Sequence, residues 1–198
     1  MTEVGEQDRN RVEDGEVLQA LLTGALTRAH EMQKYGEAKN AIILALNTAW
    51  LVALATSALR ADGIPAMFAA YVPLASMIIA LSAFTALVAF APRASTRRSR
   101  RKPAGAQPNL LYFGDVASLP LAEFQRSCSE RYTTRPGGVV ASALIEDLAA
   151  QVHTNSVIAL RKFRLFMIAS YLSLAALIVL AAPVAIYVVK AISTLHVA

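Results

Sequence analysis

A short segment in the middle of the chain combines side chains that can recognise a nucleobase. Asn109, Tyr112, Phe113, Gly114 and Asp115 supply an amide, two aromatic faces, a permissive glycine and a carboxylate. Aromatic rings stack on bases, and amide and carboxylate groups form hydrogen bonds with base edges. The alternative is that the aromatic residues pack this segment against a long neighbouring helix. The sequence thus predicts either a ligand site or a packing element here.

Residues for catalysis or metal binding do not form a recognisable pattern. His30, His153 and His196 are isolated, and the sequence has no Cys/His cluster, no glycine-rich phosphate loop and no GxSxG motif. Cys128 is the single cysteine, so it cannot form an intramolecular disulfide, and we interpret it as a small packing residue. The sequence therefore predicts a protein that is not an enzyme and that uses no cofactor and no metal.

The composition places this chain in the membrane. Of its 198 residues, 56% are hydrophobic and 17% are charged, and the mean hydropathy is +0.45. Charge-free runs at 40–59, 63–92 and 165–189 are each long enough to cross a bilayer, which takes about 20 apolar residues. This excludes a soluble enzyme, an extended disordered protein and a single-anchor receptor with a large ectodomain. The predicted fold is an all-α, polytopic membrane protein with three transmembrane helices and a small cytoplasmic helical region.

The distribution of lysine and arginine predicts the orientation in the membrane. The N-terminus is acidic and lacks the apolar stretch of a signal peptide, whereas basic residues flank the spans at 28–39, 93–102 and 161–164. The N-terminus and the region between the second and third spans should therefore be cytoplasmic. We attribute the basic run at 93–102 to topology and contact with anionic lipid, with attraction of a phosphate ligand as the alternative. It does not indicate binding to a nucleic acid polymer.

Periodicity and helix-breaking residues divide the chain into segments. The stretch 16–39 is amphipathic, and helical periodicity continues without Gly or Pro from 139 to 182, so the last cytoplasmic helix should continue into the third span. The predicted segments are a disordered N-terminus at 1–15, a cytoplasmic amphipathic helix at 16–39, transmembrane helices at 40–60, 65–92 and 164–190, a basic linker at 93–108, a cytoplasmic helical sensor region at 109–163 and an external tail at 191–198.

The charge-free runs at 40–59, 63–92 and 165–189 contain small and polar residues but no Asp, Glu, Lys, Arg or His. This argues against a proton-coupled transporter or a fixed-charge ion filter, which place ionisable groups within the membrane. Small side chains allow close helix packing, so we expect the three helices to pack together and the protein to form a homo-oligomer. The polar side chains either bond to neighbouring helices and backbone or line an aqueous seam; they are Asn47, Thr48, Ser57, Ser76, Ser82, Thr85, Ser170 and Ser173.

The order of these segments resembles the transmembrane effectors of the Pycsar antiphage systems over about residues 16–190. An acidic-x-Lys motif enters the first span at 37–39, with Glu37 where the family more usually has Asp. The stretch 109–115 is similar to the family's Asn-x-x-Phe-Phe-Gly-Asp motif, with Tyr112 at the first aromatic position. A Lys-aromatic pair before the last span is matched by Lys162 and Phe163.

The resemblance implies a role in defence against phage. A neighbouring pyrimidine cyclase would make cyclic CMP or cyclic UMP (cCMP or cUMP) upon infection, and is thus a functional partner. The effector would bind this messenger and damage the cell inner membrane, causing abortive infection. The alternatives are a membrane effector that responds to a cyclic oligonucleotide and a non-signalling membrane scaffold.

The resemblance also suggests which residues contact the ligand. Lys39 and Lys162 would contact the cyclic phosphate, while Tyr112 or Phe113 stacks on the base. The alternative for both lysines is that they extend along the helix to the membrane interface. Ligand binding would shift a resting oligomer to an open or clustered state through unequal affinity for the two states.

Overall fold

Helices make up nearly all of the part of the chain that the structure describes. The computed structural model describes residues 2–59, 66–91, 108–132 and 143–195. No strand occurs within these ranges, so the predicted all-α class is confirmed. The elements in chain order are α1 (Thr2–Ala58), a 3-10 turn (Ala66–Phe68), α2 (Tyr71–Val88), α3 (Phe113–Val116), α4 (Leu121–Tyr132) and α5 (Ala143–Leu195).

Three helices are long and apolar enough to cross a membrane. They are α1, α2 and α5, of 57, 18 and 53 residues. The prediction of three spans is confirmed, although α2 is shorter than the predicted span at 65–92. The predicted basic linker at 93–108 lies outside the described residues except for Pro108. The residues at which each helix enters and leaves the bilayer remain predictions.

The N-terminal segment differs from its prediction. Helix α1 begins at Thr2, whereas the sequence predicts disorder at 1–15. Glu, Gln and Arg are frequent in this stretch and have good helix propensity. Because adding a residue to an existing helix costs far less than starting one, the amphipathic helix that follows can extend through this polar stretch.

Helix α5 runs without interruption from Ala143 to Leu195 and contains Pro183. The predicted continuation of the last cytoplasmic helix into the third span is therefore confirmed. Proline is tolerated within membrane helices when neighbouring groups satisfy the freed backbone.

The chain divides into two compact units. Unit 1 comprises Met1–Gly36 and Arg93–Arg161, and unit 2 comprises Glu37–Pro92 and Lys162–Ala198. Helices α1 and α5 each contribute residues to both units. Unit 1 therefore contains the segment at 109–115, whereas α2 lies entirely in unit 2.

Unit 1 has a conventional hydrophobic core. Helix α1 contributes Leu18 and Leu22, one helical turn apart, and α4 contributes Phe124, whose side chain is fully buried. The remaining buried members of this cluster are Ala25, Leu110, Val116, Cys128, Ala149 and Val152. This cluster holds the segment at 109–115 between helices α1, α4 and α5.

The interior of unit 2 consists of small residues. Among the described residues, its buried apolar side chains are alanines apart from Ile79 and Pro183: Ala75, Ala86, Ala89, Ala169 and Ala176. Small side chains let the helix backbones approach closely, which is how helices associate where the surrounding lipid is as apolar as the protein. The predicted close packing within the chain is thus observed in this unit.

A buried polar cluster joins the three helices of unit 2. Asn47 on α1 donates from Nδ2 to the Ser82 hydroxyl on α2 at 2.8 Å, and Ser173 on α5 donates to Asn47 Oδ1 at 2.8 Å. The Ser82 hydroxyl has two acceptors in reach, the Ala169 carbonyl at 2.6 Å and Ser173 Oγ at 2.9 Å. Thr48, Ser57, Thr85 and Ser170 donate instead to backbone carbonyls of their own helices. The prediction that these side chains bond to helices and backbone is confirmed for these residues.

Replacing the hydroxyl of Ser82 should weaken unit 2. Ser82→Ala removes the acceptor of Asn47 and leaves a buried amide without that bond, so we expect the free energy of unfolding to fall by about 1–2 kcal/mol. Thermal unfolding in detergent, followed by circular dichroism, measures this change. Ser57→Ala is the matched control because Ser57 is exposed and bonds only within α1. Equal stability of the two variants would contradict a stabilising role for the cluster.

Candidate functional site

The segment at 109–115 folds into a closed turn. The Asn109 side chain accepts a hydrogen bond from the Leu111 amide at 3.0 Å, and the Asn109 amide donates to Asp115 Oδ2 at 2.9 Å. Asp115 is buried, and its backbone carbonyl accepts from the Ser118 hydroxyl at 2.6 Å. Asn109 and Asp115 thus shape the segment, which accounts for an amide and a carboxylate at this spacing.

Gly114 allows Tyr112 to fold back over the chain. A Cβ atom at Gly114 would lie 2.6 Å from Cε1 of Tyr112, closer than any carbon contact permits. The ring of Tyr112 lies against that of Phe113, with centroids 4.9 Å apart and planes tilted by 55°. Tyr112 remains 50% exposed, so one part of this aromatic pair is open to a ligand.

Two contacts fix the segment to the helices around it. Arg131 on α4 donates to the carbonyl of Pro108 at 2.9 Å. His153 on α5 lies with Nε2 2.8 Å from the carbonyl of Leu119, just after the segment. The segment is therefore held at both ends, and its aromatic pair has a defined position.

A cavity of about 300 Å³ lies beside the aromatic pair, within unit 1. Its volume is at the lower end of the range for small-molecule sites. Three elements line it: the segment with Leu110, Leu111, Tyr112, Phe113 and Val116, helix α1 with Ala25, Arg28, Ala29, Glu31 and Met32, and helix α5 with Val152 and Ser156. The structure is therefore compatible with both predicted roles of the segment. Leu110 and Val116 are buried in the core, which fits a packing role, whereas Tyr112 is half exposed at the cavity, which fits a role in ligand binding.

Arg28 and Glu31 are charged residues of the cavity that the sequence analysis does not identify. They lie three residues apart on α1 and are both exposed. Neither side chain takes part in a hydrogen bond or an ion pair with another described residue. The only signal in the sequence is their position next to the apolar face of the amphipathic helix, which many surface residues share.

Lys39 and Lys162 both belong to unit 2, and each has a partner there. The ammonium group of Lys39 lies 5.2 Å from the centroid of the Phe166 ring, a cation–π contact. Lys162 forms an ion pair with Glu37, and its side chain is 14% exposed. The structure thus groups Asn109, Tyr112, Phe113, Gly114 and Asp115 in unit 1, while the two lysines lie in unit 2.

The described residues contain no group of three or more His, Cys, Asp or Glu side chains that could hold a metal ion. Cys128, on α4 in unit 1, is buried. Burial raises the pKa of its thiol to about 12, and the positive charge of Arg131 only partly opposes this effect. Since the thiolate is the reactive form, this thiol is poorly suited to nucleophilic chemistry.

Comparison with known proteins adds independent information. The Pycsar effector protein domain, PycTM, matches residues 21–189. The chain is 29% identical over 171 residues to the Pycsar effector protein RsPycTM of a Rhizobium species, covering 86% of this chain and 97% of that protein. It is 32% identical over 166 residues to the Pycsar effector protein PtPycTM of Propioniciclava tarda, covering 81% of this chain and 77% of that protein. No solved structure matches the chain.

Proposed function

Because this chain belongs to the Pycsar transmembrane effector family, an antiphage defence family, we propose that it is activated by a cyclic pyrimidine mononucleotide and then impairs the inner membrane. The messenger is cCMP or cUMP, made by a partner cyclase upon infection. Loss of membrane integrity halts growth before the phage can multiply. The observation that carries this proposal is the family match at 21–189, which extends across both the cavity and the three candidate spans.

The described parts of the chain suit a sensor connected to a membrane element. The cavity in unit 1 offers an aromatic face at Tyr112 and a guanidinium at Arg28. Helices α1 and α5 both line this cavity, and both contain candidate membrane spans further along. A change in either helix at the cavity can therefore alter the same helix within the bilayer.

The proposed activation requires two states with different affinity for the nucleotide. A ligand shifts an equilibrium only by its differential affinity, and a change from 1% to 99% active needs about 10⁴-fold tighter binding to the active state. We propose that the resting state is an oligomer and that the bound state is open or clustered. The N-terminus and unit 1 face the cytoplasm, where a cyclase releases its product.

Membrane potential in living cells tests this proposal. Cells that express the protein with an active pyrimidine cyclase should depolarise and stop growing. Cells with the protein and an inactive cyclase, or with the active cyclase alone, should keep their potential. A potential-sensitive dye read together with the nucleotide content of the same culture provides the measurement.

An unchanged potential despite confirmed membrane insertion and confirmed cCMP or cUMP production would overturn the proposal. Replacing the cyclase with a cyclic oligonucleotide synthase then separates the two remaining functions. Depolarisation with the synthase indicates a different messenger. No response to either enzyme favours a membrane scaffold.

We propose Lys39 and Lys162 of unit 2 as a second candidate for the contact with the cyclic phosphate, separate from the cavity of unit 1, and charge reversal tests them. If they contact the phosphate, Lys39→Glu or Lys162→Glu replaces an attraction to the anion with repulsion, and either change should abolish cyclase-dependent depolarisation. The measurement is the dye signal at matched expression and membrane insertion. Lys34→Glu is the control because Lys34 is an exposed lysine of α1 that precedes the motif at 37–39. A full response from Lys39→Glu and Lys162→Glu would remove both lysines from the ligand site.

The ion pair of Lys162 with Glu37 requires a further control. Lys162→Glu alone places two carboxylates together, and this repulsion could itself disturb unit 2. The exchange Glu37→Lys/Lys162→Glu restores the pair with its charges reversed. If Lys162 contacts the phosphate, the exchanged protein should insert normally and still fail to respond, whereas recovery of the response would assign Lys162 to the ion pair alone.

A further inference from the structure

The charged residues that line the cavity of unit 1 indicate which ligands it can bind. The interior surface is mostly apolar, with the buried side chains of Ala29, Leu110 and Val152 contributing to it. Ser156 is also buried and adds a hydroxyl-bearing residue to the wall. The charged side chains of the wall are Arg28 and Glu31, one of each sign.

Arg28 can bind an anion at the mouth of the cavity. Its guanidinium has no ion-pair partner among the described residues, so binding an anion does not require breaking an existing pair. Guanidinium groups bind phosphate oxygens through two parallel hydrogen bonds, which fixes the orientation of the phosphate. Tyr112 lines the same cavity and is half exposed, so a base can stack on its ring.

Glu31 limits how much negative charge the cavity accepts. It lies one helical turn from Arg28 and also lines the wall, so the two formal charges cancel. A cyclic phosphodiester has one negative charge, whereas a linear phosphate monoester has about −1.5 to −2 at pH 7. The second negative charge of a linear nucleotide has no second cation on this wall to pair with, and the carboxylate of Glu31 repels it.

We infer that the cavity binds a cyclic nucleoside monophosphate through Arg28 at the phosphate and Tyr112 at the base, and that Glu31 discriminates against linear nucleotides. This inference rests on the proposed function and assigns its ligand site. The selection has a physiological reason, because cells contain linear nucleotides at all times and a sensor must ignore them. Arg28 thus provides affinity and Glu31 provides selectivity by charge.

Equilibrium binding with the purified full-length protein in detergent tests this inference. The probes are cyclic CMP and cyclic UMP, each compared with linear CMP and UMP. Arg28→Gln should weaken binding of the cyclic probe by about 10- to 100-fold, the usual loss for a hydrogen bond to a charged group. Arg126→Gln is the matched control because Arg126 is an exposed arginine of unit 1 outside the cavity. It should bind as the unchanged protein does.

The remaining variants test the roles of Glu31 and Tyr112. Glu31→Gln should tighten binding of the linear nucleotide by about 3- to 10-fold and that of the cyclic probe by less, because the Coulomb energy scales with the charge of the ligand. Gly114→Ala displaces the ring of Tyr112, which is half exposed, and should weaken binding of the cyclic probe. Circular dichroism of every variant confirms that it is folded.

The outcomes separate this site from the proposed function. If the unchanged protein binds a cyclic probe and Arg28→Gln binds it equally well, the cavity is the wrong site and the proposed function stands. If Glu31→Gln leaves the ratio of linear to cyclic affinity unchanged, the assigned selectivity is wrong. If the unchanged protein binds neither cyclic probe, both the site and the proposed function fail.

Discussion

Iodoacetamide should alkylate Cys128 about a thousandfold more slowly in the folded protein than in the denatured chain at pH 8. The thiolate is the reacting species, and burial raises the pKa of this thiol from 9.0 to about 12. The difference of three pH units lowers the thiolate fraction by about 10³ at pH 8, and the residue's 3% exposure further hinders the reagent. Mass spectrometry of the intact protein measures the rate, and no other cysteine contributes to the signal.

The pH dependence provides a second check on the buried thiol. The pKa of Cys128 is higher in the folded state than in the unfolded state, so its contribution to stability is complete below pH 9. That contribution is lost as the pH rises from 9 towards 12. Alkylation of the folded protein should therefore accelerate throughout this range, whereas the denatured chain should level off above pH 9. Similar rates for the folded and denatured protein at pH 8 would contradict the burial of Cys128.

Phe124→Ala should remove most of the stability of unit 1. The Phe124 ring is fully buried at the centre of the cluster formed by α1, α4, α5 and the segment at 109–115. Truncating a buried phenylalanine costs about 3–5 kcal/mol, which combines lost burial and the cavity left behind. A domain is typically stable by only about 5–15 kcal/mol, so the variant should open frequently.

The reactivity of Cys128 measures this loss directly. The thiol lies in the same cluster as Phe124, so opening of unit 1 exposes it to iodoacetamide. We expect alkylation of the Phe124→Ala protein to be faster than that of the unchanged protein at pH 8, because a loss of about 3 kcal/mol raises the population of the open form by about two powers of ten. Leu121→Ala, at an exposed position of the same helix, is the control and should change the rate little. Equal rates for the two variants would show that Phe124 does not hold the unit together.

The sequence predicts those parts of the fold that depend on local pattern. The apolar positions of α1 recur at helical spacing, and Leu18, Leu22, Ala25 and Ala29 form its buried face. The absence of Gly and Pro between 139 and 182 predicts an unbroken helix over that stretch, and α5 continues past Pro183. The stretch at 1–15 differs from its prediction because it is polar and aperiodic and so gives no local signal for a helix. Its helical structure depends on the amphipathic part of α1 that follows.

The candidate site depends on long-range packing and is therefore less predictable. The residue types at 109–115 suggest groups that contact a ligand, yet Asn109 and Asp115 bond mainly within the turn. Arg28 is a candidate ligand contact only because folding places it on the wall of the same cavity as Tyr112, which lies 84 positions later in the chain. Sequence patterns within one helix contain no information about that neighbour.

The alanine interior of unit 2 has a consequence for how this protein tolerates variation. In a soluble core, harmful substitutions mostly remove volume, whereas here Ala169 and Ala176 occupy positions where backbones meet and have little volume to lose. In a saturation library, these positions should accept glycine or serine and reject leucine or phenylalanine. The positions that reject large residues would then recur every three to four residues along each span. A growth-based selection could thus map the inner faces of the membrane helices from genetic data alone.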